Sequence, residues 1–223
     1  MRYLRDLSGI QTPQVTTFPI NTATNIAKNV YSTINSATGH INAITNAATV
    51  AVIGVTASSH NGADATLSPW ENASTVPIYS SPTAVFAAPA PTITAVATSN
   101  AAVVNATGTL GDYADNDFIG GYLELKTLDA TNGTTTDPVG TKHIITDSAN
   151  TTKLLTVAFT NGAATGDIFY IYPPIGLNVE MLSGTTPSVL VDTASPVKVV
   201  GWDFDKKEVH LMATFHTYGN DVD

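Results

Sequence analysis

The chain has 223 residues, of which only nine are Lys or Arg and 18 are Asp or Glu, giving a formal net charge of −9. So few basic groups argue against a nucleic-acid binder, which needs a cationic patch to neutralise phosphates, and no apolar run approaches the ~20 residues of a membrane-spanning helix. With no cysteine, disulfide staples and thiolate metal sites are excluded, and the scarcity of ionisable side chains points to a structural protein before an enzyme.

Residues Met1–Thr24 read as an extended N-terminal arm. Met1–Leu7 has the spacing for a single helical turn, with Tyr3, Leu4 and Leu7 on one side. Beyond it Gly9, Pro13 and Pro19 break any regular element. A strip of this kind is ordered only where a neighbour holds it. It lacks the apolar stretch of a secretory leader, so none is expected, and the N-x-[ST] sequons at Asn72, Asn105, Asn132 and Asn150 are attributed to the Asn- and Thr-rich composition.

Residues 25–91 read as a small β-barrel-like domain. Ile26–Ile34, Ile41–Thr45, Val50–Thr56 and Val76–Tyr79 are its predicted strands, punctuated by turn signals at Thr38-Gly39, Asn61-Gly62 and Ser68-Pro69. Ile41–Ala51 is also Ala-rich enough for helix, but the β-branched Val50–Val55 favours strand. Phe86–Pro91 (FAAPAP) reads as a linker, because its two prolines deny donors to a ladder.

Residues 97–223 read as a second β-rich domain, barrel or sandwich. Gly121–Thr127 alternates Tyr122, Glu124 and Lys126 against Leu123, Leu125 and Thr127, the pattern of a half-buried strand. Leu154–Thr160 is a strand leading to an Asn161-Gly162 turn. Asp167–Tyr172 is apolar on both faces, as a central strand is, and Pro173-Pro174 stops it. Val197–Phe204 and Glu208–Thr217, joined by Asp205–Lys207, make the strongest hairpin. Its last strand sets Val209, Leu211, Ala213 and Phe215 against His210, Met212, Thr214 and His216. Many short strands with no convincing helix predict an all-β chain, barrel or sandwich.

The residue types that carry chemistry are thinly spread. His210 and His216 share a strand face, but six residues at ~3.3 Å each place them ~20 Å apart, too far to share a metal. The other histidines, His40, His60 and His143, are read as hydrogen-bonded structural groups. Asp112, Asp115 and Asp117 form the densest acidic cluster. Read as a calcium loop beginning at Asp115, it fails at Ile119 and Lys126; an Asx-rich turn is the simpler reading, and a calcium site of looser geometry stays open. Asp203 and Asp205 flank Phe204 on one strand face, with no second element to set an acid–base separation. No nucleophile elbow, phosphate loop or dinucleotide fingerprint occurs. No catalytic residue, metal ligand or cofactor is therefore assigned. Strand aromatics such as Phe169, Tyr170, Tyr172, Trp202 and Phe215 read as core, whereas Trp70, in a loop beside Pro69, is the aromatic best placed for a partner.

The arm, VAVIGVTASSHNGADATLSPW, GDIFYIYPP and VHLMATFHTYGN together resemble the small β-barrel decoration, or cement, proteins of tailed-bacteriophage heads. Val52–Thr56, Asn61-Gly62 and Val76–Tyr79 follow that group's order of apolar-Gly strand, polar turn and return strand. The resemblance implies a non-enzymatic virion protein on the outer capsid surface, bound to the major capsid protein and to itself as a homotrimer, clamping capsomers against internal pressure. On this reading the arm makes the capsid contact, with Arg2 and Arg5 bonding capsid carboxylates and Tyr3 and Phe18 as buried anchors; its deletion is expected to abolish head binding and leave the body folded. The alternatives are a carbohydrate- or receptor-binding module of a fibre or surface layer, and a tail-tube or connector subunit.

Overall fold

A computed structural model describes residues 2–7, 14–21, 25–28, 30–35, 37–43, 54–60, 75–81, 83–97, 103–105, 110–128, 137–160, 163–181, 189–192 and 197–213. Among the described residues there is no helix, and the strands form four sheets that curl into a half-barrel and sandwich. The chain is all-β.

The strong hairpin forms as its alternation requires. β18 (Val197–Asp203) and β19 (Glu208–Ala213) pair antiparallel around the turn 204–207, with Val209 and Leu211 buried. They belong to a four-stranded sheet ordered β1-β7-β19-β18, in which β1 is Arg2–Asp6 and β7 is Ala84–Pro89. Two sequence expectations are corrected here. The single helical turn over Met1–Leu7 is instead β1, and FAAPAP is not a linker. β7 is an interior strand whose residues are buried from Ala84 through Ala88. Pro89 does no harm at the last position of the strand, and the small Ala87 and Ala88 allow close packing on both faces.

The extended character of the N-terminal segment is present, but the neighbour that holds it is the chain itself. β1 lies antiparallel against β7. β2 (Val15–Pro19) lies antiparallel against β6 (Thr75–Tyr79) at one edge of a five-stranded sheet. That sheet continues through β5 (Gly54–Thr56), β3 (Tyr31–Ile34) and β4 (Ile41–Ala43). The four-stranded sheet joins strands from both sides of the 91–97 stretch, since β7 precedes it and β18 and β19 follow.

A seven-stranded sheet runs β8-β15-β12-β13-β14-β10-β9. Its strands are β8 (Thr92–Thr94), β9 (Val96–Ala97), β10 (Val103–Asn105), β12 (Tyr122–Thr127), β13 (Lys142–Ala149), β14 (Leu154–Val157) and β15 (Ile168–Tyr172). β15 is interior, as its two apolar faces predict. A three-stranded sheet completes the fold, with β16 (Val179–Met181) antiparallel to β17 (Val189–Asp192) and β11 (Gly111–Asp112) parallel to it. The turn signals at 61–62, 68–69 and 161–162 lie outside the described residues.

Three apolar clusters hold these sheets. The first joins Tyr31 and Val55 of the five-stranded sheet to Phe86, Val199, Val209 and Leu211 of the four-stranded one. Tyr31 meets the Phe86 ring edge-on at 6.1 Å, and Tyr3 stacks on Tyr79 at 5.4 Å. The second cluster fills the seven-stranded sheet around Phe118, Leu123, Leu155 and Phe169. The third packs Phe18, Ile20 and Ile26 on Ile41, Val76 and Ile78.

Burial of phenol groups couples this packing to pH. Desolvation disfavours the phenolate, so Tyr113 is pushed up to about 12, with Asp115 adding to the shift. Tyr31 and Tyr172 are also raised, both chiefly by burial. A raised folded-state pKa contributes stability that is complete below the unfolded value of about 10 and is lost as pH climbs through the folded one. Unfolding free energy is therefore expected to hold to about pH 10 and fall steeply by about pH 12. Urea unfolding followed across that range checks this, and a flat profile would contradict it.

Candidate functional site

The richest polar arrangement lies on the face of the four-stranded sheet turned away from Val209 and Leu211. Strand register aligns Arg2, Ala87, His210 and Gly201 in one row across β1, β7, β19 and β18, and Pro89, Glu208 and Asp203 in the next. Because side chains alternate along β19, His210 and Glu208 share this outer face. Arg2 grips Glu208 with two parallel bonds, Nε donating to Oε1 at 3.1 Å and Nη2 to Oε2 at 2.6 Å. Asp203 accepts from the Lys206 backbone N–H at 3.0 Å and from Lys206 Nζ at 2.8 Å, and these bonds hold its carboxyl below the usual range.

His210 stands between these two ion pairs. One ligand atom from each of Asp203, Glu208 and His210 lies within 4.8 Å of the others. His210 Nε2 is shielded from solvent and has no hydrogen-bond partner among the described residues. Burial pushes the imidazole pKa down, Arg5 adds to this, and Asp203 and Glu208 oppose it. Gly201, opposite in the ladder, puts no side chain beside the ring.

Behind the hairpin is a buried carboxylate that the alternation of β12 assigned to the polar face. Glu124 is only 1% exposed. Tyr172 Oη donates to its Oε2 at 2.9 Å, and Lys207 Nζ bonds its Oε1. Lys207 adopts a left-handed backbone at φ 57° in the turn, and its ammonium also lies over the Tyr170 ring. The surrounding aromatics pack on one another: Tyr172 meets Phe204 edge-on at 4.7 Å and Trp202 stacks on Phe204 at 5.8 Å. Trp202 Nε1 donates to the Pro173 carbonyl at 2.7 Å. Tyr172 is buried in the first core cluster, and Tyr170, Trp202 and Phe204 pack against it partly buried, with Lys142 over the Phe204 ring; Phe215, also read as core, lies outside the described residues.

In the acidic loop one carboxylate bonds locally and another reaches a distant turn. Asp117 accepts from the Ala114 N–H at 2.7 Å, a local bond of the kind expected of short carboxylates in turns, whereas Asp115 accepts from the Asn150 N–H at 2.8 Å, 35 residues away. His143 is a buried structural group: its Nδ1 faces the Ala158 carbonyl at 3.0 Å. Its Nε2 lies 2.8 Å from Asp137 Oδ2, an ion-pair distance without hydrogen-bond alignment.

Of the residues assigned to a capsid contact, Arg2 is paired with Glu208, Tyr3 packs against Tyr79 and Phe86, and Phe18 is in the third core cluster. Arg5 is exposed on β1, and Trp70 lies outside the described residues. The grouping of Asp203, Glu208 and His210 was missed because each acid or histidine was compared along its own strand, Asp203 with Asp205 and His210 with His216. The signal lies across the hairpin, in the pairing of Asp203 with Glu208 and the histidine two residues on. Asp205 sits in the turn instead, and His216 lies outside the described residues. Comparison with protein-family models, curated proteins and solved structures finds no match to this chain.

Proposed function

We propose that the chain is a structural virion protein, one that coats the capsid of a tailed phage as an oligomer and stabilises it by binding the major capsid protein. The observation that carries this reading is a chain poor in charge that leaves several large apolar side chains exposed. Ile119, Val139, Ile144 and Ile175 are 46–61% exposed, in a chain with only nine basic and 18 acidic residues. Such neutral faces suit subunit contacts, whose centres are depleted of charge.

The contact is assigned to these faces and to Arg5 rather than to a free arm, since β1 and β2 complete two sheets. Deleting residues 1–24 would therefore open both sheets, and the informative test keeps the full chain. Added to heads that lack it, from the phage whose genome carries it, the protein is expected to co-sediment saturably and raise the temperature of DNA release. Ile144→Asp is expected to weaken that binding about tenfold or more, the loss typical of a central interface residue, with unfolding unchanged. Protein left in the supernatant at every concentration would overturn the reading.

A further inference from the structure

The outer face of the β18–β19 hairpin holds two carboxylates and an imidazole on rigid, hydrogen-bonded strand ends, and the fold leaves one of those groups unsatisfied. We propose that Asp203, Glu208 and His210 bind one divalent transition-metal ion of the zinc type, which enters by displacing Arg2 from Glu208. Three features on two strands support this. Their ligand atoms already lie within 4.8 Å of one another, whereas ligands ~2.1 Å from a tetrahedral zinc stand ~3.4 Å apart, a difference of at most ~1.4 Å between any two of them. His210 Nε2 is buried without a partner among the described residues, the condition that a bound cation relieves on an imidazole. The backbone positions are fixed by ladder pairing of Asp203 with Glu208 and of Gly201 with His210.

The donor set selects the ion. One imidazole with two carboxylates suits zinc and its neighbours, whereas calcium and magnesium take oxygen alone. The site is also guarded. Both Glu208 oxygens hold Arg2, and both Asp203 oxygens serve Lys206. A cation at Glu208 competes with the Arg2 guanidinium, so metal uptake loosens the side-chain tie between β1 and β19 while the backbone ladder persists. This proposal stands apart from the capsid reading.

Titrating Zn²⁺ into the full chain, by calorimetry at neutral pH in a non-coordinating buffer, tests it. One ion per chain is expected, with Ca²⁺ giving no saturable uptake. His210→Ala should lower Zn²⁺ affinity at least about 100-fold, beyond the ~10–100-fold that outer-shell partners alone cost. Arg2→Ala should raise it several-fold, a change of sign that a merely structural arginine would not produce. Asp205→Asn, which removes an acid from the same turn, should leave it unchanged. Should His210→Ala fail to fold, ring-nitrogen NMR on the unaltered chain replaces it: Zn²⁺ should move the His210 resonance ahead of those of the other four histidines. Equal uptake by His210→Ala and the unaltered chain, an affinity lowered by Arg2→Ala, or an unmoved His210 resonance would each overturn the proposal.

Discussion

Replacing Lys207 with methionine is expected to lower the unfolding free energy by about 3 kcal/mol, the cost of leaving a buried carboxylate without its cationic partner. Glu124 is almost wholly removed from solvent, and Lys207 is its one cationic partner among the described residues, with Tyr172 supplying the second bond. Methionine keeps much of the aliphatic stem that packs near Tyr170 but supplies no positive charge, so the loss reports the carboxylate and not the packing. The companion variant isolates the pair. Glu124→Gln retains an acceptor for the Tyr172 hydroxyl and removes the buried charge, so Lys207→Met with Glu124→Gln should recover roughly half of the loss. Urea unfolding of the two single variants and the double one measures the coupling. A Lys207→Met protein as stable as the original would show that the pair holds nothing.

Gly54→Ala is expected to be the more damaging change, costing at least about 4 kcal/mol, in the range reached only by steric or core failures. Gly54 opens β5 at φ 151°. A Cβ there would lie 2.1 Å from the Tyr79 carbonyl oxygen and 2.5 Å from Ile78 Cγ2. Both neighbours belong to β6, which pairs with β5 and buries Ile78 completely. Neither can retreat without breaking the ladder or the third core cluster. Gly39→Ala provides the comparison. That residue also has positive φ, at 70°, yet a Cβ would meet nothing within 4 Å, so only the backbone penalty of about 1–2 kcal/mol applies. Equal midpoints for the two variants in urea would contradict the steric account.

The strands most legible in the sequence are those whose alternation agrees with their burial. Thr75–Tyr79 and the β18–β19 hairpin lie where period-two patterning places them, whereas among the described residues of the predicted strand Ile26–Ile34 a strand forms only over Tyr31–Ile34, where Tyr31 and Ser32 are both buried. β13 carried no such signal, because its inward positions include His143 and Ser148, polar residues whose Nδ1 and hydroxyl meet the Ala158 carbonyl and the Phe118 N–H. β7 was hidden by its prolines, although only its final residue is one. Glu124 was misplaced for a related reason: alternation assigns a carboxylate to water unless a partner distant in sequence is known, and Lys207 is 83 residues away. The Asp203, Glu208 and His210 grouping needs register as well as pattern, and register is visible only once the hairpin is paired. What the residues reveal locally is secondary structure; what they conceal is which distant charge meets which.

The placement of β1 and β7 beside β19 has a consequence for synthesis. β7 gains its β1 neighbour as soon as it emerges, but its other flank must await residues 208–213. At the ribosome's pace of about 5–20 residues per second, that wait lasts roughly 6–24 s. Throughout it, an uncharged AVFAAP segment offers open amides to any passing polypeptide. Slower translation should lengthen this hazard, and yield in cells will follow chaperone supply more closely than it follows the stability of the finished molecule.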